Sequence, residues 1–295
     1  MLRNRPNLFI LGAPKCGTTS LSAWLAQHPQ VFFSPEKEPH HFYSPYGEPM
    51  PREQYEALFE RAPVKAQYLA EASIWYLFGG TAVPEILEYS PDARFIVCLR
   101  NPVKMAPSLH AQMLYTGKEL LNNFEDAWDV SDQRCGGEHI GIFGFDQGDP
   151  ACMAYKQACM LGQQVETLLQ QVDRSQVLFV LIDDLSASPE ETWDQIQVFL
   201  GLTRFADFSL RAHNQAKRRK FPVLQRFTLF VQNLKRRLGI KKRFGVLAPL
   251  NRKNIVEKKY PLPSKELQET MQQVFREDIV KLSGLINRDL SKWMS

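Results

Sequence analysis

The stretch FILGAPKCGTTSL, Phe9 to Leu21, gathers a lysine, a cysteine and three hydroxyls around two glycines. Read as strand, tight loop and helix, it aims successive backbone N–H groups at one point, where the helix dipole adds positive potential. Gly12 and Gly17 permit the turn and a close approach, and Thr18, Thr19 and Ser20 add hydroxyl donors. Such a loop cradles a phosphate. The common nucleotide-phosphate loop reads G-x-x-x-x-G-K-[ST]; its lysine reaches the β and γ phosphates and the next hydroxyl holds magnesium. Here the glycine spacing is kept, but Thr18 stands where that lysine belongs and Lys15 lies inside the loop. From there an ammonium reaches the far end of a 5′-phosphate, including the atom that bridges it to a transferred group. Cys16 has two readings: a thiol acidified at a helix N-terminus, or a small residue whose backbone N–H matters. Asp183 and Asp184, in VLFVLIDDL, read either as the acidic strand end that supports magnesium or as caps for the next turn.

The elements that must position this loop follow from periodicity. Asn7–Leu11, Val31–Phe33, Arg94–Arg100 and Val177–Ile182 are short apolar runs that suit buried strands, and Tyr68–Ala70 leads into EASIWYL. Helical spacing marks Thr18–Gln27, Arg52–Arg61, Ala82–Tyr89, a helix from Pro102 to about Tyr115, a long amphipathic helix over Tyr155–Val172, one from Ser188 to Gly201, and Ser264–Leu285. Glu36–Pro51 is proline-rich loop, and Gly117–Pro150 is a glycine-rich, weakly periodic insertion on the substrate side. Strands alternating with helices predict an α/β fold of the P-loop-like, three-layer kind, a central parallel sheet flanked by helices. Residues 1–295 are expected to form one domain, because the last strand and helices complete the sheet beneath the first loop.

Composition narrows the function classes. The chain has 295 residues, 44% hydrophobic and 23% charged, ordinary for a globular protein. No apolar run approaches the roughly 18 residues needed to span a bilayer. LFILGA near the start is too short for a secretory signal and reads as a buried strand, so the cytoplasm is the expected compartment. Five cysteines with no C-x-x-C pair argue against a disulfide framework and a zinc site. The net charge of +4 hides a block, Arg211 to Arg243, with twelve Lys or Arg and no Asp or Glu. A block of this kind meets an anion.

The residues also resemble a family. APKCGTTSL looks like the 5′-phosphosulfate loop of sulfotransferases that use 3′-phosphoadenosine 5′-phosphosulfate (PAPS). RFIVCLRNPVKMAPSLH, Arg94–His110, is similar to their 3′-phosphate segment, with Arg100 and Ser108 at the matching positions. Arginine forks onto a phosphate, and a serine two turns into the next helix faces the same end of the sheet. SPEKEPHHF, Ser34–Phe42, resembles the K-E-P-H-F-F segment of the heparan-sulfate and bacterial carbohydrate branch, which maps the proposed catalytic base onto Glu38. EASIWYL resembles that branch's E-K-S-P-x-Y-[LF], with Ala72 replacing the lysine and Ile74 the proline. IDDLSASPEETWDQIQVFLGL resembles its E-D-L…FLGL stretch, which accounts for Asp183 and Asp184 without magnesium. HNQAKRR, His213–Arg219, is similar to a late basic loop that closes over the 3′-phosphate.

The resemblance implies sulfuryl transfer from PAPS to an acceptor hydroxyl, of a carbohydrate or glycosylated metabolite, with no metal required. Lys15, Cys16, Gly17, Thr18, Thr19, Ser20, Arg100, Ser108, Lys217, Arg218 and Arg219 are the expected donor-binding residues, with Lys15 also catalytic. Glu38 is the expected base; Lys37, His40 and His41 are candidate acceptor contacts, and the two histidines are alternative bases. The basic block beyond Lys217 gates the nucleotide, binds an anionic acceptor or membrane, or is a solvated face. Phe230-Val231 and Leu234 are compatible with a homodimer or partner surface, and no specific nucleic acid is expected. Two other functions stay open on the residues: a magnesium-dependent nucleotide hydrolase or kinase, and a non-catalytic polyanion-binding module.

Overall fold

The computed structural model describes residues 5–143, 148–206, 209 and 262–294, together with the backbone of 217–219 and 255–257. Five parallel strands form the central sheet in the order β2-β3-β1-β4-β5: β1 (Leu8–Gly12), β2 (Val31–Phe33), β3 (Tyr68–Ala72), β4 (Arg94–Leu99) and β5 (Val177–Leu181). Every residue of β1 is buried, as expected of a central strand covered on both faces. Helices α1 (Thr18–Leu25), α2 (Arg52–Ala57), α3 (Ala82–Tyr89) and α4 (Pro102–Thr116) are among those that connect and flank the strands. This is the P-loop-like α/β architecture that the sequence predicts.

The topology fixes the site. The chain leaves β1 toward β2 on one side of the sheet and leaves β4 toward β5 on the other. Open α/β sheets bind ligands where connections diverge in this way, beyond the carboxyl ends of the strands. The loop after β1 and Arg100 after β4 flank that crevice.

Two elements differ from expectation. The helix predicted over Tyr155–Val172 is broken into Tyr155–Ala158 and Leu161–Gln171. The cause lies far away in sequence: the Asp278 carboxylate, on the long helix Lys265–Ile286, accepts the N–H groups of Gly162 (2.8 Å) and Gln163 (2.9 Å) and caps a new helix start. The Gly117–Pro150 insertion is also more ordered than its composition suggests. It holds short helices at Phe124–Asp129 and Ser131–Cys135. Within it, the fully buried Arg134 and Glu119 pair through two hydrogen bonds of 2.8 and 3.0 Å. Tyr155 and the N–H groups of Leu120 and Leu121 complete the Glu119 carboxylate. A buried charge pair is tolerable only when its remaining lone pairs are satisfied in this way.

Candidate active site

The donor side is built from backbone. Gly12 ends β1 at φ +134°, and a Cβ there would lie 2.3 Å from the carbonyl oxygen of Ile74, so only glycine fits. Gly17, in the left-handed region at φ 93°, caps α1. The N–H groups of Gly17, Thr18 and Thr19 open that helix, where no intrahelical carbonyl is available to them. Lys15 also takes a left-handed φ, 65°, and this turns its carbonyl toward β4, where it accepts a 2.9 Å hydrogen bond from Arg100 Nη1. The same Nη1 lies 3.4 Å from Ser108 Oγ. Lys15 Nζ donates to Gln112 Oε1 at 3.2 Å. Gln112 sits one turn beyond Ser108 on α4, so one helix face supports both ends of the donor site.

The electrostatics suit an anion. Burial lowers the Lys15 pKa, and the charges of Arg100 and Lys37 push it further down; Cys16 and Glu38 oppose this. Three cations thus converge on the crevice at a cost that a bound polyanion relieves.

Cys16 is not a nucleophile. Its side chain is fully buried, the thiol lies 3.4 Å from the Pro14 carbonyl and 3.7 Å from Met105 Sδ, and burial pushes its pKa up to about 12. Its N–H donates to the Ala13 carbonyl at 3.3 Å and braces the turn. The reading of Cys16 as an acidified thiol is therefore corrected, because desolvation outweighs the nearby cations.

Glu38 and Lys37 face this cradle from the loop after β2. Lys37 Nζ bridges Thr19 Oγ1 (3.0 Å) and Glu38 Oε1 (3.4 Å), tying the acceptor-side loop to the donor helix. His40 Nε2 lies 3.7 Å from Glu38 Oε2. Burial raises the Glu38 pKa, but neighbouring His40 and the Lys37 charge outweigh it and hold the carboxyl below its ordinary value. Glu38 is an ionised carboxylate at neutral pH.

His41, grouped with His40 in the sequence, turns elsewhere. Its Nδ1 is 2.6 Å from the Met50 carbonyl, and its ring stacks on Tyr55 at 4.4 Å. It faces a separate cavity of about 500 Å³ shared with Arg5, Arg52 and Tyr89. The structure brings His40, not His41, beside Glu38; the His40 ring packs against Tyr46 and Tyr76.

Asp183 and Asp184 are committed to the segment after the long helix. Asp184 accepts two 3.0 Å bonds from Arg288, and Asp183 accepts the Trp293 indole N–H at 3.2 Å. Lys217–Arg219 forms a strand paired antiparallel with Ile255–Glu257, and its backbone lies against α4, the helix of Ser108. The side chains of Lys217, Arg218 and Arg219, and most of the basic block with Phe230, Val231 and Leu234, lie outside the described residues.

Sequence reasoning missed Gln112 and Lys118. Gln112 was available through its i, i+4 relation to Ser108. Lys118 follows the end of α4, with its ammonium over the Tyr46 ring. Burial lowers its pKa to about 7 against the opposing pull of Cys152 and Glu38. Tyr46 accepts the Trp75 indole N–H at 2.7 Å. No local pattern announces a contact between residues 46 and 118.

Comparison with known proteins places this geometry. A family profile described as "Sulfotransferase domain" matches residues 5–284. The mouse heparan sulfate glucosamine 3-O-sulfotransferase 6 is 30% identical over 206 residues, 68% of this chain and 54% of that protein. The bifunctional heparan sulfate N-deacetylase/N-sulfotransferase 1 of Caenorhabditis briggsae is 24% identical over 214 residues, 69% of this chain and 23% of that protein. The chain thus spans about half or less of the length of these curated relatives. The crystal structure of a sulfotransferase from Alicyclobacillus acidocaldarius superposes with a TM-score of 0.72 at 24% identity, covering 99% of both chains.

Proposed function

This chain belongs to the sulfotransferase domain family, and we propose from that premise that it moves a sulfuryl group from PAPS to a hydroxyl of a carbohydrate or glycosylated metabolite. One observation carries the reading: Lys15, Lys37, Arg100 and Glu38 converge on one crevice, three cations and one carboxylate. The names of the heparan sulfate relatives support a carbohydrate acceptor.

In this reading the N–H groups of Gly17, Thr18 and Thr19 hold the 5′-phosphate, and Arg100 with Ser108 holds the 3′-phosphate. Lys15 releases Gln112 and donates to the bridging oxygen. The acceptor oxygen forms the new bond to sulfur as its proton passes to Glu38. The bond from sulfur to the bridging oxygen breaks, and its electron pair stays on the leaving bisphosphate, where Lys15 stabilises the growing charge. Lys37, already between Thr19 and Glu38, meets the sulfuryl oxygens. His40 keeps Glu38 oriented. The cation at the leaving oxygen is an ammonium, so the step calls for no divalent ion. Lys118 and Tyr46 form part of the acceptor wall, and the insertion carrying Lys118 is braced by the Glu119–Arg134 pair.

Among the described residues no helix is long and apolar enough to cross a membrane. All five thiols are unpaired, the state a reducing compartment maintains, which supports a cytoplasmic location.

Calorimetry tests the donor assignment. Adenosine 3′,5′-bisphosphate is expected to bind without divalent ions, and labelled PAPS is expected to pass its label to an acceptor in a hydroxyl-compound screen. Indifference to the bisphosphate, with ATP held only when magnesium is present, overturns it.

A further inference from the structure

Beneath the Glu38 loop lies a carboxylate that the reaction above does not use. Glu71, on β3, is fully buried and receives two hydroxyls. Ser73 Oγ donates to Oε2 at 2.8 Å and Tyr55 OH donates to Oε1 at 3.2 Å. Ser73 has a second task. Its Oγ accepts the His40 N–H at 3.0 Å, and nearby Tyr76 OH accepts the Phe42 N–H at 3.2 Å. A hydroxyl has one proton to give. While Glu71 is ionised, the Ser73 proton points at it and the Ser73 oxygen faces the His40 N–H. The network has a single polarity, and it ends on the backbone that keeps Glu38 (φ 56°) and His40 (φ 52°) in the left-handed region. Side chains are held there only when their surroundings over-determine them.

We propose that Glu71 is the positioning residue of the base: its carboxylate orders Ser73, Ser73 fixes the His40 backbone, and that backbone aims Glu38 at the acceptor. Protonation of Glu71 removes the charge that holds this polarity. When the acid donates to Ser73, that hydroxyl turns its own proton away from the carboxylate and the His40 N–H loses its fixed acceptor. Burial pushes the Glu71 pKa up to about 7; its hydroxyl partners oppose the rise and the charge of Glu38 adds to it. The switch therefore falls within the working pH range. Other ionisable groups face the same network: His40 beside Glu38, His41 stacked on Tyr55, and Tyr89 beside Tyr55. All of them persist in a Glu71 variant, so a difference between the proteins isolates Glu71.

The inference rests on the proposed sulfuryl transfer only for its kinetic arm. Glu71→Gln puts an amide donor where the protonated acid has one, and so holds the network in its low-pH polarity. In the wild type, the amide resonance of His40 is expected to titrate with a midpoint near pH 7. In Glu71→Gln that component is absent, kcat at pH 8 is about tenfold lower, the acid limb near pH 7 disappears, and bisphosphate affinity is unchanged. Ser73→Ala provides a second route: the His40 amide loses its response with Glu71 still in place. A His40 amide that does not respond in the wild type, or responds identically in Glu71→Gln, overturns the inference. So does an acid limb that survives in Glu71→Gln. If the amide behaves as stated but the wild type transfers no sulfuryl group, the positioning link stands and the proposed function falls.

Discussion

The two halves of the crevice are held in place by different means. The donor loop, Gly12 to Ser20, is fixed by its own backbone: two glycines, a helix start, and the Lys15 carbonyl held by Arg100. The acceptor loop, Lys37 to Phe42, has no glycine yet adopts left-handed turns at Glu38 and His40. It is held from below by the side chains of Tyr76 and of Ser73, the latter ordered by Glu71. A backbone cradle does not titrate and tolerates changes among its neighbours. A side-chain scaffold makes the base precise, but leaves it exposed to the protonation state of one buried acid.

The largest effect expected from that difference is at Glu38. Glu38→Gln keeps the loop and removes the proton acceptor, so kcat should fall by roughly 10²–10⁴-fold. Bisphosphate affinity, measured by calorimetry, should stay as in the wild type because the cradle does not depend on this side chain. A parallel loss of affinity breaks the division into two independently held halves. The next largest effect is at Lys15. Lys15→Ala removes the donor at the leaving oxygen, and a loss of about 10²–10³ in kcat is expected. The Glu71-dependent response of the His40 amide should survive, since the acceptor scaffold is untouched.

These halves were unequally legible in the sequence. The donor loop could be read because its chemistry is local: glycine spacing, an interior lysine, hydroxyls at a helix start. Arg100 and Ser108 were legible because a strand end and two helical turns fix their relation. Glu38 came only through family resemblance, and nothing local separated His40 from His41, whose rings meet different neighbours, Tyr46 for one and Tyr55 for the other. The scaffold joins Ser73 to His40 and Tyr76 to Phe42, 33 and 34 positions apart, and such pairings leave no periodic trace. The same holds for Glu119 with Arg134, and for Asp278, which splits a helix whose amphipathic period runs on unbroken. The core strands of the parallel sheet were legible because hydrophobic runs report burial directly. What stayed hidden was side-chain convergence across elements.

The scaffold also has a stability signature. The Glu71 pKa is raised from 4.5 to about 7 on folding, so between these values the folded state binds more protons than the unfolded chain. Stability from this group is complete below pH 4.5 and is lost as pH rises through 7. The shift corresponds to roughly 3 kcal/mol. Chemical denaturation should show the wild type losing more stability than Glu71→Gln between pH 5 and pH 8. Activity requires the ionised form while folding favours the protonated one, a conflict typical of functional sites. Equal pH slopes in the two proteins remove the conflict and the special status of the acceptor half with it.

The smallest effect should come from the donor loop's thiol, and its smallness is informative. Cys16 lies between Lys15 and Gly17, yet its pKa is pushed up to about 12 and its Sγ points into the core beside Met105. At pH 8 its thiolate fraction is on the order of 10⁻⁴, and only thiolate reacts with alkylating reagents. Cys135 is exposed. Brief iodoacetamide treatment of the native protein at pH 8, followed by peptide mass spectrometry, should find the label on Cys135 and not on Cys16, with bisphosphate binding intact. If Cys16 is alkylated in the native state, the loop opens far enough to expose its interior. The donor half then shares the conditional character of the acceptor half, because a cradle that opens on that timescale is no longer fixed by its glycines and helix start.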